Sequence, residues 1–131
     1  MIVVDFSVWI DFFNGVSTAE VEHLDRWLGV RPLAIGDLIL QGFRGESQAA
    51  TARQMFRSLT LVPMLGGSNT WRAAENYRNL RRKGITVRKT IDGIIATTCI
   101  QANLPLLFSD RDFQPYVEHL GLEPASSMAQ P

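Results

Sequence analysis

The chain opens on Ile2-Val3-Val4, a β-branched run that is apolar on both faces and ends at Asp5. This is the pattern of a central parallel strand covered by helices on each side. Ser7 can cap the next segment, where Val8, Trp9, Ile10, Phe12 and Phe13 predict a short, almost wholly buried helix ended by Asn14-Gly15. Ser17-Thr18 ahead of Glu20 marks a second helix start, and Val21, Leu24 and Leu28 recur at helical spacing up to Gly29. Leu33-Ala34-Ile35 predicts a short strand, after which Asp37 caps a helix through Leu38-Ile39-Leu40 that Gly42 and Gly45 shorten or bend. Residues 47–58 are helical by composition, and Leu59 to Val62, ahead of Pro63, predicts another strand. Beyond the Gly66-Gly67 loop, Ser68 to Lys83 is the strongest helix, with Trp71, Ala74, Tyr77 and Leu80 on one face and Gly84 as its stop. Thr90-Ile91-Asp92 opens a helix buried on more than one side. Leu106-Leu107-Phe108 is a strand, Ser109 to Phe113 a loop, and residues 119–122 a last short strand; the tail from Pro124 reads as disordered.

Strands alternating with helices imply right-handed crossovers and a mostly parallel sheet between helical layers, an α/β architecture. At 131 residues and 46% hydrophobic, the chain can bury one substantial core, which predicts a single domain over residues 1–123 with 124–131 as its tail. Basic and acidic residues balance at 13 each, so any nucleic-acid contact must come from a local patch and not from bulk charge. Cys99 is the only cysteine, which excludes an internal disulfide and thiolate-rich metal sites. With no basic leader and no apolar stretch of membrane-spanning length, a soluble, cytoplasmic protein without a membrane partner is expected.

In parallel α/β sheets, functional groups gather beyond the carboxyl ends of the strands. Asp5 and the Asp110/Asp112 pair each follow a predicted strand directly, and Asp92 sits in the first turn of a helix, so all can face one edge. Taken singly, Asp5 reads equally well as a strand-end cap, Asp92 as a residue favoured by the helix dipole, and Asp110/Asp112 as turn formers. Together they suit a hard divalent cation such as Mg²⁺, which prefers carboxylate oxygens and needs neither histidine nor cysteine. Such an ion lowers the pKa of a bound water and neutralises phosphate charge, the two needs of phosphodiester hydrolysis. Without a cation, clustered carboxylates repel one another or take up protons.

The opening Ile2-Val3-Val4-Asp5-Phe6-Ser7-Val8-Trp9-Ile10-Asp11, the segment Ile35-Gly36-Asp37-Leu38-Ile39-Leu40, Arg88-Lys89-Thr90-Ile91-Asp92, and Ser109-Asp110-Arg111-Asp112-Phe113 resemble a PIN domain of the VapC toxin type. The resemblance spans nearly the whole chain and implies a three-layer α/β/α PIN-like fold with a mostly parallel central sheet. It further implies a Mg²⁺- or Mn²⁺-dependent ribonuclease, acting on RNA such as tRNA, forming a homodimer and held inactive by a cognate antitoxin. Carried over residue by residue, it makes Asp5, Asp92 and Asp112 metal-site acids, Asp110 a further acid of the same loop, and Ser7 a hydroxyl that orients Asp5.

One departure stands out. The family pattern carries a glutamate on the helix after Gly36-Asp37-Leu38-Ile39-Leu40, followed by a Gly-Phe-Arg stretch. Here Leu40 runs straight into Gln41-Gly42-Phe43-Arg44, as if about three residues had been deleted, and the expected acid falls at Gly42. Glu46 lies four residues on, about 6 Å along a continued helix; it reads as a first-turn acid of the following helix, with substitution for the missing ligand as the alternative. The departure keeps a second reading open, a PIN-like binding module with impaired catalysis. Arg88 and Lys89, which precede Asp92, and Arg111 are the candidates for holding RNA phosphates, whereas Arg78, Arg81, Arg82 and Lys83 read as a solvated helix end. Trp9, Phe12 and Phe13 point to core or dimer packing and not to base stacking. His23 and His119 lack companion ligands at metal-binding spacing.

Overall fold

A computed structural model describes residues 1–41 and 49–128 of the chain. Four strands, β1 (Ile2–Val4), β2 (Leu33–Gly36), β3 (Thr60–Val62) and β4 (Leu106–Leu107), form one sheet in the order β3-β2-β1-β4. Every pairing is parallel, with Val3 opposite both Ala34 and Leu106. The connections are α1 (Phe6–Phe13) and α2 (Ala19–Trp27) from β1 to β2, and α3 (Asp37–Gln41) and α4 (Ala49–Phe56) from β2 to β3. The long return from β3 to β4 carries α5 (Gly67–Arg82) and α6 (Thr90–Gln101), and α7 (Gln114–Leu120) follows the sheet.

The first two crossovers step one way across the sheet and the third steps back. Right-handed connections therefore place the early helices on one face and α5 and α6 on the other, giving the three layers. Between those layers β1, β2 and β4 are buried on both faces, which is why they read as unbroken apolar runs: Val3, Val4, Ala34, Leu106 and Leu107 are all fully inaccessible, whereas the edge strand β3 leaves Thr60 and Leu61 exposed. On the early-helix side Trp9 of α1 meets Phe56 of α4 edge-on at 4.8 Å and stacks on Phe13 at 5.9 Å. On the other side α5 and α6 are tied by a buried hydrogen bond, Asn76 Nδ2 donating to Thr97 Oγ1 at 3.0 Å.

Several local expectations are corrected. Asp5, not Ser7, is the N-cap of α1, because the acid is the last extended residue and its carboxylate accepts the Ser7 amide. Trp71, placed on the apolar face of α5, is 77% exposed; Asn76 takes an interior position beside Leu80 because Thr97 pairs with its amide. Residues 119 and 120 end α7 instead of forming a strand, and Gly121 closes that helix in the left-handed conformation that suits glycine. The segment expected as an unstructured tail continues the fold: Pro124 bridges to Leu106 in parallel, and Ala125–Met128 is a 3-10 turn with Ala125 buried. No helix among the described residues is long and apolar enough to cross a membrane.

Trp9 is fully buried, yet its indole N–H has no hydrogen-bond partner among the described residues. Trp9→Ala should cost about 3–5 kcal/mol in urea unfolding, as for other large-to-small core changes. Trp9→Phe should cost under about 1.5 kcal/mol, because it also removes an unpaired buried donor. Equal losses from both substitutions would show that indole packing alone sets the cost.

Candidate metal and nucleic-acid site

Because the direction of strand addition reverses at β1, the ends of β1 and β4 lie side by side, and a crevice opens beyond them. Asp5 leaves β1 into this crevice, Asp110 caps and Asp112 lies within the 3-10 turn Arg111–Phe113 that follows β4, and Asp92 lies in the first turn of α6. Asp5, Asp92 and Asp110 line a common cavity of about 510 Å³. Ligand oxygens of Asp92, Asp110 and Asp112 all come within 4.8 Å of one another. Asp5 stands beside this tight trio and acts on it through its charge, raising the Asp92 pKa.

Each acid is held by a different device. Asp5 is buried; its Oδ2 accepts the Ser7 hydroxyl at 2.7 Å and the Ser7 amide at 3.3 Å, and the same hydroxyl lies 3.3 Å from Ser109 Oγ. Desolvation still pushes its pKa above the usual carboxylate value, against the lowering by those hydrogen bonds. Asp110 Oδ1 accepts the Asp112 amide at 2.9 Å, and its Oδ2 accepts from Lys89 Nζ at 2.8 Å. Burial works to raise the pKa of Asp110, but the Lys89 and Asp112 contacts outweigh it and hold the carboxyl below its ordinary value. Asp92 is the least compensated. Its pKa is pushed up from 3.8 to about 6, first by burial and then by the charge of Asp5. Its buried Oδ2 has no hydrogen-bond partner among the described residues.

Of the basic candidates, Lys89 is the N-cap of α6 and sits among the acids, which stabilise its charged form through the Asp110 hydrogen bond. Arg88 reaches Asp112 at 3.9 Å from a largely exposed position. Arg111 is exposed and makes no ion pair with these acids among the described residues. Glu46 and Gly42 lie outside the described residues. Within them, α3 gives the cavity only Leu38 and Ile39, because the Asp37 carboxylate is turned away to accept the amides of Leu38 at 2.8 Å and Met64 at 3.1 Å.

The family model for the PIN domain matches residues 2–117. The chain belongs to the PIN domain family. Ribonuclease VapC11 of Mycobacterium tuberculosis is 26% identical over 134 residues, covering 96% of this chain and 98% of that protein. VapC ribonuclease Mb1587 of Mycobacterium bovis aligns over the same shares at 26% identity. Among solved structures, VapBC2 from Rickettsia felis, bound to a DNA fragment from its promoter, shares the fold at a TM-score of 0.69 and 15% identity, covering 95% of this chain and 97% of that one. A toxin-antitoxin complex from Klebsiella pneumoniae does so at 0.64 and 18% identity, covering 86% and 90%.

In this PIN domain the donor set is wholly carboxylate oxygen, and one buried oxygen, Asp92 Oδ2, has no hydrogen-bond partner among the described residues. Both fit a hard divalent cation. Sequence reasoning missed Ser109, whose hydroxyl reaches Ser7 only because β1 and β4 are neighbours. It also missed Tyr116 of α7. A Cβ added to Gly93, the residue after Asp92, would stand 2.8 Å from the Tyr116 hydroxyl, so the first turn of α6 rests closely on that phenol. Burial and the Asp92 charge push the Tyr116 pKa up to about 12.

The raised Asp92 pKa couples to folding. Between about pH 4 and 6 the folded chain keeps a proton at Asp92 that the unfolded chain releases, so stability from this group falls as pH rises through that window. In EDTA, Asp92→Asn should therefore raise stability at about pH 7.5 by roughly 1–2 kcal/mol after allowance for solvent screening, and flatten the slope between pH 4 and 6. Urea titrations at several pH values measure this; an unchanged slope would place the proton elsewhere.

Proposed function

We propose that this chain is a divalent-metal-dependent endoribonuclease of the VapC toxin type, neutralised by an antitoxin and acting in the cytoplasm as a homodimer. The observation that carries the reading is the convergence of Asp92, Asp110 and Asp112 within 4.8 Å, with Asp5 on the same cavity. The names of the VapC relatives support the ribonuclease chemistry, and the toxin-antitoxin structures that share the fold support an antitoxin partner.

Asp92 and Asp112, with Asp110 and Asp5 beside them, would hold Mg²⁺ or Mn²⁺. When bound, such an ion supplies charge neutralisation at the scissile phosphate and a lowered pKa for an attacking water. Ser7 keeps the Asp5 carboxylate aimed into the cavity by its 2.7 Å hydrogen bond. Arg88 and Lys89, exposed along the entry to α6, hold phosphates without reading sequence, and Arg111 extends the basic rim. Leu38 and Ile39 restrict water on the α3 side of the cavity.

That apolar α3 wall also favours a second reading. Leu38 and Ile39 are the only α3 contribution, and glycine stands at the expected position of a family acid, so among the described residues α3 supplies no carboxylate to the site. Catalysis would then be weakened, and in the limit the chain would serve as a binding module that dimerises and occupies antitoxin.

An RNA cleavage assay with Mg²⁺ or Mn²⁺ separates the readings by comparing the natural chain, Asp5→Asn, and a chain with three residues including a glutamate inserted after Leu40. We expect weak cleavage by the natural chain, about 10²-fold or more loss in Asp5→Asn, and a gain of about 10-fold or more in the restored chain. Activity confined to the restored chain would favour the binding module. Equal background cleavage by all three would sink the nuclease reading.

A further inference from the structure

Lys89 stands where the acidic cluster would bind a cation. Its Nζ lies 2.8 Å from Asp110 Oδ2, 3.7 Å from Asp112 Oδ2 and 4.0 Å from Asp92 Oδ2, so one ammonium is shared by the three acids whose oxygens converge. Arg88, by contrast, comes within 4.0 Å of Asp112 only, at 3.9 Å, and acts on Asp110 through its charge. A divalent ion ligated by the same oxygens would sit about 2.1 Å from each. It would then stand within a few ångströms of Nζ, and the two cations would compete for the same carboxylate oxygens. The ammonium and the dication therefore exclude each other.

The lysine can leave. Its backbone is fixed as the N-cap of α6, but its side chain is 57% exposed and has a flexible four-carbon stem, unlike the planar fork of an arginine. Its one short contact is to Asp110, the acid with the most other support, whereas Asp92 Oδ2 gains only a 4.0 Å approach. An ammonium in this position neutralises part of the repulsion while leaving a buried oxygen, Asp92 Oδ2, without a hydrogen bond and available to a better cation.

We propose that Lys89 is an exchangeable internal cation: it holds Asp92, Asp110 and Asp112 together until a divalent metal displaces it, and the freed ammonium then takes an RNA phosphate at the mouth of the cavity. The inference rests on the metal-dependent ribonuclease reading. It makes Lys89 a phosphate-binding residue only in the metal-loaded protein, so metal and RNA binding become coupled through one side chain.

Calorimetric titration with Mn²⁺ and thermal melting test the exchange on the natural chain, Lys89→Met, Arg88→Met and Asp92→Asn. Lys89→Met should bind Mn²⁺ roughly 3- to 30-fold more tightly than the natural chain, and Arg88→Met should change affinity by less than about 3-fold, in line with the number of acids each cation touches. In EDTA, Lys89→Met should melt below the natural chain, and saturating Mn²⁺ should remove the difference. Binding of a 2′-O-methyl RNA, measured before any cleavage, adds a second readout. The salt dependence of that binding should drop by about 0.7 in slope for Lys89→Met with Mn²⁺ and stay unchanged in EDTA. Mn²⁺ binding no tighter in Lys89→Met than in the natural chain, or an equal drop in salt slope with and without Mn²⁺, overturns the exchange while leaving the metal site standing. Absence of Mn²⁺ binding in both chains, or full binding retained in Asp92→Asn, overturns the metal reading and the exchange with it.

Discussion

Four carboxylates share the edge where β1 and β4 end, and in a partly buried setting their mutual repulsion is the force that the surrounding structure must contain. The means of containment are local and unequal. Asp5 is supported by a hydroxyl and an amide, Asp110 by an amide and an ammonium, and Asp92 is left with a buried oxygen that has no hydrogen bond among the described residues. The imbalance concentrates the deficit at one atom, which is a natural way to keep a position ready for a stronger cation.

Holding the acids at this separation also requires that α6 cannot slide along the sheet. Buried polar ties fix it from the α5 side. Asn76 donates to Thr97, and Asn69 donates both to Thr98 Oγ1 at 2.8 Å and to the Met64 carbonyl at 2.6 Å. Met64 is held in turn by Asp37, and its thioether fills the space over Gly36 where any side chain would collide. A chain of contacts thus runs from the end of β2, through the loop before α5, to the middle of the helix that carries Asp92. Such ties are directional, so they fix register in a way that the apolar packing of Ile95 and Ala96 alone cannot.

Much of this architecture is legible in the sequence because β1, β2 and β4 are buried on both faces and so appear as short, unbroken apolar runs, each followed within a few residues by an acid. The order of those runs was enough to bring Asp5 and Asp110/Asp112 to one edge. Periodicity was less informative for α5, where an asparagine holds an interior position and Trp71 is exposed: hydrophobicity cannot foresee a buried polar residue whose partner, Thr97, is 21 residues away. The chain end misled for a similar reason. A Pro- and Ser-containing segment suggests disorder, yet Pro124 meets Leu106 and Ala125 fills a small apolar gap that only the assembled sheet creates. Among the site groups, Ser109 and Tyr116 had no signal in their own neighbourhoods, because what they touch is remote in the chain.

The close approach of Gly93 to Tyr116 bears on how this site can change over evolutionary time. The glycine follows Asp92 directly, and its constraint comes from a phenol on another helix and not from its own backbone angles. A side chain at position 93 requires the Tyr116 phenol to move aside or position 116 to shorten in step, so the two sites should tend to vary as a pair among descendants of this sequence. Drift at one without the other would lever the start of α6 away from α7 and carry Asp92 with it. A glycine in the first turn of α6, with no charge of its own, would in that way limit which lineages can keep the cluster intact.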